Sequence, residues 1–120
     1  MAIEPSEQVG TRLMFENDRV RVWDLSLAPG ESFAEHIHRL DYFYIVESGG
    51  LIRFADPDQP AGYRDVQFED DQVRFREVGP TGMVDHRLTN IGTKRHRNYI
   101  IELKRGWSRP DGGADPAPPD

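Results

Sequence analysis

Glycine and proline interrupt this chain so often that long regular segments cannot form. Between residues 29 and 92 they stand at Pro29-Gly30, Gly49-Gly50, Pro57, Pro60, Gly62, Gly79-Pro80, Gly82 and Gly92. The segments that remain between them are too short, and too rich in β-branched residues, for a bundle of helices. The positions of Gly and Pro therefore indicate a fold made of short strands joined by turns.

The segments between the turns carry β-forming side chains. Val20 to Leu27, Tyr42 to Val46 and Val73 to Val78 combine β-branched or aromatic residues with interspersed polar ones, a pattern that predicts strands. His86 to Ile91 and Asn98 to Leu103 continue this pattern later in the chain. We expect roughly eight to ten short strands in an all-β fold, which a jelly-roll barrel could close so that few strand edges stay exposed.

One segment, Tyr63 to Val78, permits a second interpretation. Two pairs of its apolar residues stand seven positions apart, which an amphipathic helix could explain. The Asp70-Asp71 pair, however, stands where a hairpin turn would fall, with a Val-x-Phe sequence on each side of it. We therefore favour two strands over a helix.

The chain has the length of one domain. Its 120 residues can enclose one modest core. Residues 108–120 contain four of the nine prolines and almost no apolar side chains, so burial cannot offset the entropy of ordering them. We predict an N-terminal arm at residues 1–8, a barrel domain at 9–107 and a disordered tail at 108–120.

Composition limits the partners and the chemistry. Fifteen Lys and Arg against 21 Asp and Glu give a net charge of −6, which disfavours binding to a phosphate backbone. The absence of Cys excludes disulfides, thiolate metal ligands and a cysteine nucleophile. No segment has the ~20 apolar residues that cross a bilayer. We expect a cytoplasmic protein with a small-molecule substrate, and neither nucleic acid nor a membrane as partner.

Three of the four histidines stand where they could act together. On a strand, the side chains of His36 and His38 leave the same face with Cα atoms about 6.6 Å apart, so both imidazoles can reach one metal ion. His86 stands on a later strand, and a barrel can bring remote strands face to face. The alternative is that all three are polar surface residues. His96 has cationic neighbours on both sides, which would repel a metal ion, and we expect it at the surface.

These residues give the chain a resemblance to the cupin superfamily. The segment Gly30-Glu-Ser-Phe-Ala-Glu-His36-Ile-His38, with Gly49 after it, resembles the first cupin motif, and Pro80-x-Gly82 followed by His86-x-x-x-Asn90 resembles the second. The two motifs and their linker cover most of the predicted domain. The resemblance implies a small single-domain cupin of the type-2, RmlC-like kind, with a double-stranded β-helix (jelly-roll) barrel.

The chain departs from the family pattern in two places. A Glu commonly follows the second histidine of the first motif by four or five positions, and Tyr42 and its neighbour stand there instead. Asp41, one position earlier, is our candidate for a carboxylate ligand, and Glu47 is the alternative. The second motif has one extra residue between Gly82 and His86.

Three imidazoles with open positions beside them would hold one divalent first-row metal ion. The arrangement resembles the three-histidine iron sites of some cupin dioxygenases, which implies iron, with Mn, Ni, Zn and Cu as alternatives because ligand type does not discriminate among them. We expect a metal-dependent enzyme with oxygenase-like chemistry on a small organic metabolite. A metal-dependent isomerase or lyase is one alternative, and a non-catalytic module that binds or senses a small ligand is another.

Three further residues are candidates for catalytic roles. Tyr42 and Tyr44 follow the histidine pair, and their phenols could donate hydrogen bonds or move a proton near the metal. Arg53 stands among apolar residues of a predicted strand and could neutralise a substrate carboxylate. The resemblance also implies a homodimer, with which the apolar run from Tyr42 to Val46 is compatible.

Overall fold

The computed structural model describes residues 6–104, and within that range the chain forms eleven strands and no helix. The strands are β1 (Arg12–Glu16), β2 (Val20–Leu27), β3 (Ser32–Phe33), β4 (His36–His38), β5 (Tyr42–Ser48), β6 (Gly50–Ala55), β7 (Tyr63–Phe68), β8 (Val73–Arg76), β9 (Met83–Asp85), β10 (Leu88–Asn90) and β11 (His96–Leu103). The prediction of an all-β fold is confirmed. No helix in the described part of the chain is long and apolar enough to span a membrane.

The strands form three antiparallel sheets. The largest has the order β1-β2-β11-β5-β8, the second has the order β3-β10-β6-β7, and β4 pairs with β9 alone. Most neighbouring strands are not consecutive in the chain, as when β11 lies between β2 and β5. The larger sheets contribute side chains to one shared interior, which contains both the core and a cavity.

Side chains alternate cleanly along β11, the central strand of the largest sheet. Every second residue, beginning with His96, points into the barrel and is buried, while the residues between them are partly exposed. The apolar core packs around this strand and includes Leu25, Leu27, Ile52 and Leu88. Each such side chain contributes about 1.5–3 kcal/mol when it is fully buried.

The segment from Tyr63 to Val78 forms strands, as favoured above, but it is not a hairpin. A turn does occur at Asp70-Asp71, and Asp71 has a left-handed φ of 65°. β7 pairs with β6, whereas β8 pairs with β5 in the other sheet. The turn therefore carries the chain from one sheet to the other, and the two strands lie on opposite sides of the interior.

The predicted boundaries fall partly outside the described residues. Within the predicted arm, the Ser6 carbonyl accepts a hydrogen bond from the Ile37 amide at 2.8 Å, so this end of the arm lies against β4. Val9, the first residue of the predicted barrel, is fully buried. Residues 1–5 and 105–120, which include the predicted tail, lie outside the described range.

Candidate metal centre

Two short strands bring three potential metal ligands together. His36 and His38 lie on β4 and point to the same face, because strand side chains alternate. β9 pairs with β4 so that Asp85 stands directly opposite His36. One ligand atom from each of the three residues lies within 4.8 Å of the other two. Both histidines are only 2% exposed, so the group is buried in the barrel wall.

The spacing of these atoms suits a shared metal ion. His38 Nε2 lies 3.0 Å from Asp85 Oδ2, and His36 Nε2 lies 3.5 Å from the same oxygen. Ligand bonds of about 2.1 Å that meet at angles between about 90° and 109° place neighbouring ligand atoms about 3.0–3.4 Å apart. The two distances fall close to that range, so small side-chain movements would let all three atoms bind one ion.

Two different contacts hold the histidine rings in place. His36 Nδ1 lies 3.1 Å from the Ala34 carbonyl oxygen, to which it can donate a hydrogen bond. A ring that binds a metal ion through Nε2 is neutral and keeps its proton on Nδ1, so this contact suits a metal-bound His36. The His38 ring stacks on Tyr42, with ring centres 4.1 Å apart and planes 14° from parallel. Both Nε2 atoms are thereby directed towards Asp85.

Asp85 is ionised at neutral pH. Burial raises the pKa of this carboxyl group, but hydrogen bonds from His36 and His38 outweigh burial and hold the pKa well below its usual range. The centre thus offers two imidazole nitrogens and one carboxylate oxygen. This donor set fits a first-row divalent cation, and with open positions it is typical of non-haem iron sites.

The structure does not bring His86 or Asp41 to this group. His86 Nδ1 lies 2.6 Å from Glu35 Oε1, and the His86 side chain is 40% exposed. Asp41 accepts a hydrogen bond from the Val78 amide at 2.7 Å. A shift of one residue along a strand moves a side chain to the opposite face, so Asp85 points inward where His86 was expected. The second motif has one extra residue between Gly82 and His86. Counted with the family's spacing from Gly82, the ligand position falls on Asp85.

Glu47, the alternative carboxylate, also lies outside the group. It is an exposed residue of β5, and the three clustered ligands are the only such set among the described residues. The apolar run from Tyr42 to Val46 belongs to this same strand, where its first and last residues are buried in the barrel. That burial makes these two residues part of the interior, not of an exposed surface.

The two candidate tyrosines border the metal centre. Tyr42 is buried against His38, and both Tyr42 and Tyr44 line the cavity. Burial raises the pKa of each phenol, and for Tyr42 the negative charge of Asp85 raises it further. Both phenols are therefore neutral at neutral pH, and each can donate a hydrogen bond.

Arg53 lies away from the cavity. Its guanidinium donates two hydrogen bonds to the Asp65 carboxylate, at 2.8 and 3.1 Å, and stacks over the Tyr63 ring at 3.8 Å. These contacts place Arg53 on the outer face of the sheet formed by β6 and β7. Arg53 therefore does not face the interior of the barrel, where a ligand would bind.

A cavity of about 310 Å³ adjoins the metal centre. Its inner wall is apolar and aromatic and includes Ile52, Phe54 and Phe68. Three arginines that were not among the predicted site residues also line it, namely Arg64, Arg74 and Arg76. The alternation of β8 could have indicated two of them, because Arg74 and Arg76 must share one face.

His96 is buried, so the expectation that it lies at the surface is wrong. It is 1% exposed and borders the cavity, and its Nε2 lies 3.0 Å from the amide nitrogen of Asn98. Burial lowers the pKa of His96 to about 4, which keeps the ring neutral. The cationic neighbours Arg95 and Arg97 occupy the alternate positions of the strand and point outward. They are therefore adjacent to His96 in sequence but do not surround its ring.

Comparison with known proteins identifies the fold. Neither a protein-family model nor a curated protein matches the sequence. A cupin domain from Bordetella pertussis is similar in structure, with 21% identity and a TM-score of 0.64 over 86% of this chain and 99% of that one. A cupin superfamily protein from Desulfitobacterium hafniense has 22% identity and a TM-score of 0.53 over 85% and 83% of the two chains.

A third similar structure comes from Methanocaldococcus jannaschii, an RmlC-like cupin family protein with a double-stranded β-helix. It shares 11% identity and a TM-score of 0.56 over 86% of this chain and 90% of that one. At these identities the likeness concerns the fold. This chain has the double-stranded β-helix fold of small cupin domains, which confirms the predicted architecture.

Proposed function

With a cupin barrel and a buried group of ligands as the premise, we propose that this protein is a metal-dependent enzyme. It holds one divalent metal ion on His36, His38 and Asp85 and acts on a small organic molecule in the adjoining cavity. The observation that carries this proposal is the convergence of two imidazole nitrogens and one carboxylate oxygen within 4.8 Å of one another.

We propose further that the metal is iron and the reaction an oxygenation. Two histidines and one carboxylate with open positions form the donor set of many non-haem iron oxygenases. When bound, the ion would supply Lewis acidity and the activation of dioxygen. The protein's own part is to orient the two imidazoles, through Ala34 and Tyr42, and to keep Asp85 ionised.

The surroundings of the cavity favour oxygenase over isomerase or lyase chemistry. An isomerase or lyase that moves a proton by general-base catalysis uses a side chain beside the substrate that can take up that proton. Asp85 is the only acidic residue among the described residues that line the cavity, and it is a ligand in this proposal. His96 also lines the cavity, but burial lowers its pKa to about 4, which makes it a weak base. Tyr42 and Tyr44 do not serve as bases at neutral pH, because burial raises their pKa values. Tyr44 is suited to donate a hydrogen bond to a substrate oxygen.

Metal binding and oxygen consumption test this proposal together. The purified protein and its His38→Ala variant are equilibrated with Fe²⁺ without oxygen, and bound iron is counted per chain. The wild type should bind about one equivalent and the variant almost none, while circular dichroism shows both to be folded. Iron-loaded wild type should then consume oxygen with a member of a panel of small acids and neutral metabolites, and zinc-loaded protein should not.

Two results would contradict the proposal. Equal iron in the two proteins would remove His38 from the metal site. Conversion of a substrate at an unchanged rate without oxygen would instead support an isomerase or lyase.

A further inference from the structure

Two arginines of β8 line the cavity. Arg74 and Arg76 line it from the same side of the strand, and neither forms an ion pair with another described residue. Other arginines of this protein do form ion pairs, as Arg53 does with Asp65 and Arg97 does with Asp24. The charges of Arg74 and Arg76 are therefore available to a ligand.

Strand pairing places these two charges next to the tyrosines of the site. Arg76 stands opposite Tyr42 and Arg74 stands opposite Tyr44 in the register of β5 and β8. Burial raises the pKa of Tyr44, and the positive charges of Arg76 and Arg74 oppose that rise. Because Tyr42 stacks on His38, Arg76 is close to the metal centre.

The charge balance of the cavity is positive. Arg64, Arg74 and Arg76 line it, whereas Asp85 is the only carboxylate there among the described residues. Arg64 lies 3.5 Å from Asp56, which offsets its charge. Asp85 is already engaged by the two histidines. An anion in the cavity would thus meet two guanidinium groups that no carboxylate of the described residues neutralises.

We propose that the cavity binds a small carboxylic acid with an apolar body. Arg74 and Arg76 hold its carboxylate at the mouth, and Tyr44 lies beside this group. The apolar part of the acid lies against Phe54 and Phe68. The volume of about 310 Å³ is at the lower end for ligand pockets, which limits the acid to a small one. The role of this acid as substrate rests on the proposed function, whereas its binding depends on the cavity alone.

A matched pair of probes separates charge from shape. Benzoate and benzamide have nearly the same size, but only benzoate is an anion. Isothermal titration calorimetry on the full chain, both zinc-loaded and after chelation, should show that benzoate binds at least tenfold more tightly than benzamide in each state. R74Q and R76Q should each weaken benzoate binding about tenfold, the value of one charge-assisted hydrogen bond of about 1.4 kcal/mol. R95Q, a change at an exposed arginine outside the cavity, should have no effect.

The outcomes distinguish this inference from the proposed function. Equal affinity for the two probes, or a preference for benzoate that survives in the R74Q/R76Q double variant, would overturn the inference. If that surviving preference also required zinc, the metal would be the anion site, and the proposed metal centre would stand. If the protein took up no metal but bound benzoate through the two arginines, the inference would stand and the proposed function would fail.

Discussion

Acidification should destabilise this protein through one buried imidazole, that of His96. Burial lowers its pKa from 6.5 to about 4 in the folded chain, so below pH 6.5 the unfolded chain binds a proton that the folded chain resists. The contribution of neutral His96 to stability is complete above pH 6.5 and is lost as the pH falls towards 4. A difference of about 2.5 between the two pKa values corresponds to about 3 kcal/mol in full, and to about 2 kcal/mol between pH 7 and pH 5.

Urea denaturation of the wild type and a His96→Leu variant at both pH values tests this reasoning. The variant loses the contact with the Asn98 amide, but that cost is the same at pH 7 and pH 5. Carboxylates with lowered pKa values, such as Asp24 and Asp65, affect both proteins alike. The wild type should therefore lose about 2 kcal/mol more than the variant between pH 7 and pH 5. An equal loss in the two proteins would refute the reasoning.

Three other substitutions have defined outcomes. Gly82→Ala should cost about 1–3 kcal/mol of stability in urea denaturation, because the glycine has a φ of 82° and a Cβ would lie 2.9 Å from Ile37 Cδ1; unchanged stability would contradict the geometry. Glu102→Ala should cost about 1–3 kcal/mol, because the Trp23 indole donates to this buried carboxylate at 2.6 Å, and Glu102→Gln should recover most of the loss. Tyr42→Phe should leave metal affinity within about threefold of the wild type. Tyr42→Ala should weaken it about tenfold or more, because the stacked ring of His38 loses its support. Equal metal affinities of the two variants would exclude an orienting role for the Tyr42 ring.

The fold and half of the candidate metal centre could be predicted from the sequence. Short segments between Gly and Pro residues, rich in β-branched and aromatic side chains, favour strands over helices. The alternation of a strand also fixes that His36 and His38 share a face. Both inferences depend on local sequence patterns, whereas the barrel architecture was implied by the resemblance to the cupin motifs.

The rest depends on which face each strand turns inward and on which strands are neighbours. Asp85 and His86 differ by one residue of strand register. Because the loop before them has one extra residue, the motif alone does not show which of the two side chains points inward. Arg53 was expected in the site because of its apolar neighbours, but its strand turns it outward to Asp65. Arg74 and Arg76 reach the cavity because β8 crosses to the sheet of β5. The expected homodimer and cytoplasmic location stay predictions.

The most direct test of the account compares two neighbouring residues. Wild type, Asp85→Asn and His86→Gln are loaded with Fe²⁺ under the same conditions, and metal is counted per chain by mass spectrometry after each protein is shown to be folded. The structure predicts about one equivalent in the wild type and in His86→Gln, and a large loss in Asp85→Asn, because the amide oxygen carries no charge to offset that of the cation. Loss of metal in His86→Gln with full retention in Asp85→Asn would contradict the account.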